Sequence, residues 1–401
     1  MSMLALFDTD MALEWAGMLA RWVHVIAGIC WIGSSFYFMA LDAELKPNPR
    51  LDPRVKGEAW QVHGGGFYHM QKFTVVPEFM PKELTWFKWE AYSTWIFGFL
   101  LLCLTYFTHA STYLIDPEVA DISPVLAVAV GAGSLALGWL VYTGLCRSPI
   151  GKDQGKLALA GFVLLVAIIY GYTHFFSGRG AFILIGALVG SIMVGNVFFI
   201  IMPNQRKTVA ALLKGDVPDA AWGKEAKQRS THNNYLTLPV VFIMLSGHYA
   251  ITYQTRWAWI VISCVFVAGF LVRHWFNVHN AGGTPDWKLW PASAAFILVG
   301  LTLAVLGLKD VLPAYDPAAP KVEFAEVERI INERCRVCHV APSAPQGVVF
   351  ENARQIRALA PKIYLQAVKT RAMPLGNATQ ITDDERQSLR DWVAQGAPIG
   401  K

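Results

Sequence analysis

Residues 180–203, GAFILIGALVGSIMVGNVFFIIMP, run without a single charged side chain. A bilayer's hydrocarbon core is about 30 Å thick and is crossed by roughly 20 apolar residues in a helix. A helix on the surface of a soluble protein would instead show a polar face. The stretch therefore predicts a transmembrane helix. Working outward, seven further stretches of similar character lie near 15–40, 91–114, 123–145, 156–176, 235–254, 257–279 and 289–309. The expectation is an all-α fold, a polytopic membrane helix bundle of about eight spans over residues 1–309. The first stretch is too long for a cleaved signal and is preceded by Glu14 rather than by a basic segment, so it is expected to remain as a helix.

Composition agrees. Of 401 residues, 54% are hydrophobic and 16% charged, where soluble domains carry about 25% charged residues; an ordinary soluble enzyme and a disordered scaffold are both excluded. The net charge of +5 is not a nucleic-acid footprint, because the bases sit in blocks between apolar runs. The connection 41–90 holds Lys46, Arg50, Arg54, Lys56, Lys72, Lys82 and Lys88. The connection 204–234 holds Arg206, Lys207, Lys214, Lys224, Lys227 and Arg229, and Arg147, Lys152, Lys156 and Lys288 fall on the same side. The opposite connections carry only Arg179 and Arg256, and 115–122 carries three acids and no base. Since Lys and Arg are retained in the cytoplasm, both termini are expected outside, in the periplasm of a bacterium with this chain in its inner membrane.

Beyond the last span, residues 310–322 form a Pro-rich connector, a spacer by composition, and 323–401 read as a small water-exposed domain. That domain contains Cys335-Arg336-Val337-Cys338-His339, the C-x-x-C-H signature of c-type haem attachment. Two thiols one helical turn apart can form thioethers to the haem vinyls, and the adjacent His339 then faces the iron. A helix-compatible run precedes the motif, and Met373-Pro374 follows in a loop. Met373 is the expected second axial ligand, a pairing that raises haem potential in electron-transfer cytochromes. Thr382 to Glu385 reads as a capping box opening a final amphipathic helix. A zinc half-site lacks a second Cys or His pair in the tail, and a thioredoxin-like pair lacks its βαβ setting. The expectation is one covalent haem c in a class-I-like cytochrome c domain.

Nine of ten histidines lie in the membrane part, where ionisable groups are costly and are functional candidates by default. His24, His109 and His248 fall in the outer halves of their spans and suggest a second, b-type haem; interhelical hydrogen bonding is the competing reading for each. His174 reads as interfacial. Arg21 shares a helical face with His24. His274 and His279 lie at the inner end of their span, with Arg273 adjoining, near the loop bearing His63 and His69. In that loop EAWQVHGGGFYHMQKF, with Gly64, Gly65 and Gly66 between aromatic residues, reads either as part of a pocket for a flat ligand or as a re-entrant turn. Trp86, Trp89, Trp257 and Trp290 fit interfacial belts.

The chain as a whole resembles the membrane-bound urate oxidase (urate hydroxylase) family with a C-terminal cytochrome c. The residues that carry the resemblance are RWVHVIAGICWIGSSFYFM, EAWQVHGGGFYHMQKFTVVPEFMPKELTWFKWEAYSTW, NNYLTLPVVFIMLSGHY and the C-x-x-C-H domain. The resemblance implies oxidation of urate to 5-hydroxyisourate without hydrogen peroxide. Electrons would pass to haem c and then to a respiratory acceptor, a terminal oxidase or a soluble cytochrome c. His63, His69, Arg273 and His274 are the expected urate site, since cations among aromatic faces suit a planar anion. Two readings compete: a quinol dehydrogenase or cytochrome-bearing oxidase subunit, and a bare anchor for a cytochrome, which would need none of the buried Arg and His.

Overall fold

The structure is a computed structural model that describes residues 9–81, 83–247, 249–308, 312–341, 344, 348–374 and 377–400. The membrane part begins with α1 (Thr9–Glu44) and a hairpin of β1 (Val55–His63) and β2 (Gly66–Phe73). The chain then re-enters the bundle through α2 (Trp89–Leu101), which continues as a π-turn over Leu102–Phe107 into the short α3 (Ala110–Tyr113). There follow α4 (Pro124–Arg147), α5 (Gln154–Thr173), α6 (Gly178–Gly195), a second π-turn over Asn196–Ile201, and α7 (Met202–Leu213). α8 (Ala220–Ser246), α9 (Ala258–Asn280) and α10 (Leu289–Leu308) complete it.

Among the described residues, seven helices are long and apolar enough to cross a membrane, and they coincide with seven of the eight stretches expected. Gly178–Leu213 is the central one: 61% of its qualifying 18-residue window is buried, more than in any other. Its phenylalanine, leucine and isoleucine side chains form the main core with Leu135 of α4, Ile169 of α5, Ile243 of α8 and Ile262 of α9. Helices at the rim show apolar side chains outward, as Ile29, Val125 and Leu159 do, which is what a hydrocarbon surround allows.

The eighth stretch, 235–254, differs. It forms the second half of α8, which ends at Ser246, and α8 is not apolar enough to qualify by composition. It nevertheless runs the length of the bundle. Glu225 near its start accepts a hydrogen bond from Asn204 (2.8 Å), and the segment after its end brings the Tyr253 carbonyl so close to Gly178 that a Cβ there would lie at 2.6 Å. Its Arg229, Asn233, Asn234 and Thr237 are buried between neighbouring helices, so the polarity that lowers its hydropathy never meets lipid.

The expectation of helices and loops alone is corrected at 55–73. Gly64 and Gly65 have φ of +60° and +78°, the pair of left-handed residues that a two-residue type I′ turn requires. β1 and β2 pair antiparallel around it, with Trp60 opposite His69 and His63 opposite Gly66.

The tail comprises α11 (Phe324–Arg334), α12 (Ala353–Ala358), α13 (Ala360–Ile363), a π-turn over Tyr364–Lys369, and α14 (Asp383–Ala394). It has its own core of Val327, Ile330, Ile331, Ile356, Leu389 and Trp392. The capping box is formed: Thr382 and Glu385 exchange both hydrogen bonds.

Candidate active site

A cavity of about 1480 Å3 runs inside the bundle. It follows the central helix from Arg179 to Gln205 and Thr208, some 26 residues or roughly 40 Å of rise. Its end near Arg179 is lined by Arg21, His24, Thr105 and Tyr106. Its other end carries Asn204, Gln205, Lys227, Ser230, Trp86 and Trp222, with Lys72 and Asp42 at the mouth. Most of the wall between is apolar, including Trp31, Trp95, Phe99 and Val240.

The local sequence explains the polar positions. Arg179 occupies the first turn of α6 behind the N-cap Ser177, whose side chain accepts from the Gly180 amide (3.0 Å). Its guanidinium lies over the rings of Tyr113 (4.8 Å) and Tyr106 (5.8 Å), and its Nε has no hydrogen-bond partner among the described residues. His24 is seated by a glycine: its ring fills the place where a Cβ on Gly98 would stand, with Cε1 at 2.7 Å. Its Nδ1 donates to the Thr94 carbonyl (2.8 Å), which leaves Nε2 as the basic nitrogen. Lys227 and Ser230 reach the cavity from α8. Asn233, on the same helix, donates to the Met193 carbonyl (2.9 Å) just before the π-turn that opens at Asn196. Such turns recur at functional sites.

The four residues expected to bind urate are not brought together there. His63 ends β1 at the hairpin turn. His69 stacks on Trp60 (4.1 Å between ring centres) and pairs with Glu58; the Glu58 carboxyl, held chiefly by a hydrogen bond from Asn48 against opposing desolvation, has a lowered pKa. Arg273 is buried in α9, donates to Asn234 (3.3 Å) and Asn277 (3.2 Å), and rests against the Phe36 ring at 3.9 Å. His274 meets the Tyr235 hydroxyl (2.9 Å). None of the four lines the cavity. Of the histidines expected to hold a second haem, His24 lines the cavity, whereas His109 is exposed beside Thr108 and Tyr113 and His248 lies outside the described residues. Among the described residues His24 and His109 share no hydrogen bond or ring contact.

A second buried polar group escaped the sequence reading. Arg229, counted there among loop bases, is fully buried over the Tyr142 ring (4.9 Å), and none of its guanidinium nitrogens has a hydrogen-bond partner among the described residues. Tyr142 contacts His232 (2.6 Å) and accepts from Asn196 (3.1 Å), which also donates to Asn233 (3.0 Å). A polar chain thus leads from the cavity wall into α4. The tyrosine–histidine–asparagine spacing across three helices gives no signal in one dimension; the excess of polar residues in α8 does.

In the tail, Cys335 caps α11, and the amides of Cys338 (3.2 Å) and His339 (3.1 Å) both donate to the Cys335 carbonyl. One turn therefore carries both thiols and the imidazole. His339 Nδ1 donates to the Val348 carbonyl (2.9 Å), and Phe350 packs edge-on against its ring (5.3 Å). This fixes the tautomer with Nε2 free, as metal-ligating histidines require. The two thiols and the free Nε2 on one turn thus fit a covalently attached haem, and Met373 is partly exposed. Burial pushes the Cys335 thiol up to about 12. Among the described residues no group of three or more His, Cys, Asp and Glu could hold a bare metal ion.

No curated protein and no solved structure matches the chain. A sequence profile does: residues 10–305, the whole bundle with its cavity, match urate oxidase N-terminal. With about three quarters of its length covered, the chain belongs to the urate oxidase N-terminal family.

Proposed function

We propose that this chain is a membrane oxidoreductase that converts urate to 5-hydroxyisourate and passes the electrons through its own C-terminal domain to a respiratory acceptor, without hydrogen peroxide. The reaction takes up one water and releases two protons and two electrons. What carries the reading is the fusion in one chain of a bundle of this family to a C-x-x-C-H turn whose His339 keeps Nε2 free. A haem c held by Cys335, Cys338, His339 and Met373 would supply a one-electron acceptor on the periplasmic side.

The residues of the bundle have separate tasks. Arg179 and Lys227, at opposite ends of a mostly apolar cavity, attract an anion that lipid-facing walls would repel. Trp86, Trp95 and Trp222 offer faces on which a planar purine stacks. His24 Nε2 is the basic nitrogen that takes a proton from the attacking water or from urate. Arg273 and His274, tied to asparagines and to Tyr235, hold α8 against α9.

Anaerobic optical spectra of the oxidised protein before and after urate test the reading. Reduction of a c-type band by urate is expected; a band that stays oxidised with urate overturns it. One observation favours a second reading, quinol oxidation: the cavity exceeds the ~300–1,000 Å3 usual for ligand pockets and is chiefly apolar. A band reduced by quinol and not by urate selects that alternative.

A further inference from the structure

The tail meets the bundle at the end of the cavity marked by Arg179. Lys369, at the close of the π-turn Tyr364–Lys369, is mostly buried and pairs with Glu118 and with Asp116 (3.9 Å), the acids of the base-free connection 115–122. Burial opposes the charge on Lys369, but the hydrogen bond to Glu118 and the charge of Asp116 outweigh it and raise its pKa. The same turn carries Gln366, and the acids that Lys369 meets follow Tyr113, whose ring lies under the Arg179 guanidinium (4.8 Å). The backbone of Gln366 also accepts from the amide of Met373 (2.9 Å). The bundle side of this contact is rigid: Ser177 donates from its amide to Leu114 (2.8 Å) and from its hydroxyl to Tyr113 (2.6 Å).

We infer that Asp116 and Glu118 form a docking seat for the tail, and that Lys369 is a positioning residue that holds the Met373 loop beside the Arg179 end of the cavity. The turn that Lys369 closes is tied to the Met373 loop through the Gln366 carbonyl, so electrons released in the bundle would leave it by the face of the tail that carries Met373. The balance is that of the proposed reaction: urate would lose two electrons, a haem held by Cys335, Cys338 and His339 would supply a one-electron acceptor, and an external respiratory acceptor would take each electron on. The inference rests on the urate reading for its donor but not for the docking itself.

Zero-length carbodiimide coupling of the full-length protein, followed by mass spectrometry, reads the docking without activity. A peptide joining Lys369 to Glu118 or Asp116 is expected, and its absence in the wild-type protein overturns the seat. In anaerobic single turnover, Lys369→Glu should slow urate-driven haem reduction roughly tenfold, as loss of a largely buried charge pair does. Reduction by ascorbate, which reaches the tail directly, and the optical signature of Met ligation should stay unchanged. The charge swap Lys369→Glu with Glu118→Lys should restore the rate. An unchanged urate-driven rate in Lys369→Glu overturns the positioning role. Where that variant fails to mature, Glu118→Lys, altered at an exposed side chain, gives the same comparison. Should wild-type protein not respond to urate at all, the urate reading fails while the cross-link still decides the docking.

Discussion

Arg179 is the residue on which the two halves of the protein converge. It lines the cavity, lies over two tyrosines and adjoins the docking seat. Arg179→Leu removes one of the cations that line the cavity and is expected to raise KM for urate about tenfold or more, with the haem spectrum intact; an unchanged KM would place the anion elsewhere in the cavity. His24→Gln keeps the size and the Thr94 contact but loses the basic nitrogen. Its expected effect is on kcat rather than KM, by about 100-fold, read by stopped-flow reduction of the c-type band. In protein made without haem attachment, the exposed Cys338 should be alkylated by iodoacetamide well before Cys335, whose thiol burial keeps protonated. At this scale the sequence was readable where chemistry is local. C-x-x-C-H needs five neighbours, and the structure presents them on one turn. The cavity draws side chains from five helices, and no linear spacing signals that Arg21, His24, Arg179 and Lys227 share a space while Arg273 does not.

Among the elements, the hairpin 55–73 depends on two glycines at positive φ. Gly65→Val places a β-branched residue in the left-handed region, at a cost of roughly 1–2 kcal/mol, and should make β1 and β2 protease-sensitive while helices α4 to α9 stay protected. The Gly-Gly signal was legible in hindsight; what hid it is that Trp60, Val62, Phe67 and Tyr68 are all exposed, so the strands lack the clean alternation of a half-buried sheet. α14 shows the opposite case, a capping box read from Thr382 to Glu385 and found as such. Burial alone would raise the Glu385 carboxyl, but hydrogen bonds from Arg334 (3.0 Å) and from Thr382 hold its pKa below the ordinary 4.5. A carboxylate depressed in the folded state contributes stability that is present above its unfolded pKa and lost as pH falls through the folded value. Glu385→Gln should therefore weaken amide-exchange protection of α14 in the full chain at pH 7 by about 2 kcal/mol. The difference from wild type should begin to shrink as the pH drops below 4.5 and vanish only below the lowered pKa of the folded state.

For the whole molecule, the structure sets the tail against connections poor in Lys and Arg, and leaves the hairpin with Lys56 and Lys72 at the opposite end. Reporter fusions should report both termini outside and the loop at 214–219 inside; the reverse pattern would refute the orientation. Seven spans were legible because lipid imposes apolarity on whatever faces it. The eighth was blurred because α8 faces the protein and is free to be polar. That difference bears on how such a bundle can be hollow. A water-accessible passage roughly as long as a bilayer is wide threatens any energised membrane with leakage. Here a positive charge lines the cavity toward either end, Arg179 and Lys227. Each raises the electrostatic barrier to a hydronium or sodium ion, as fixed arginines do in water channels, and lowers it for an anion. Were a negatively charged substrate to enter by this cavity, the same two side chains that attract it would oppose the passage of cations through the bundle.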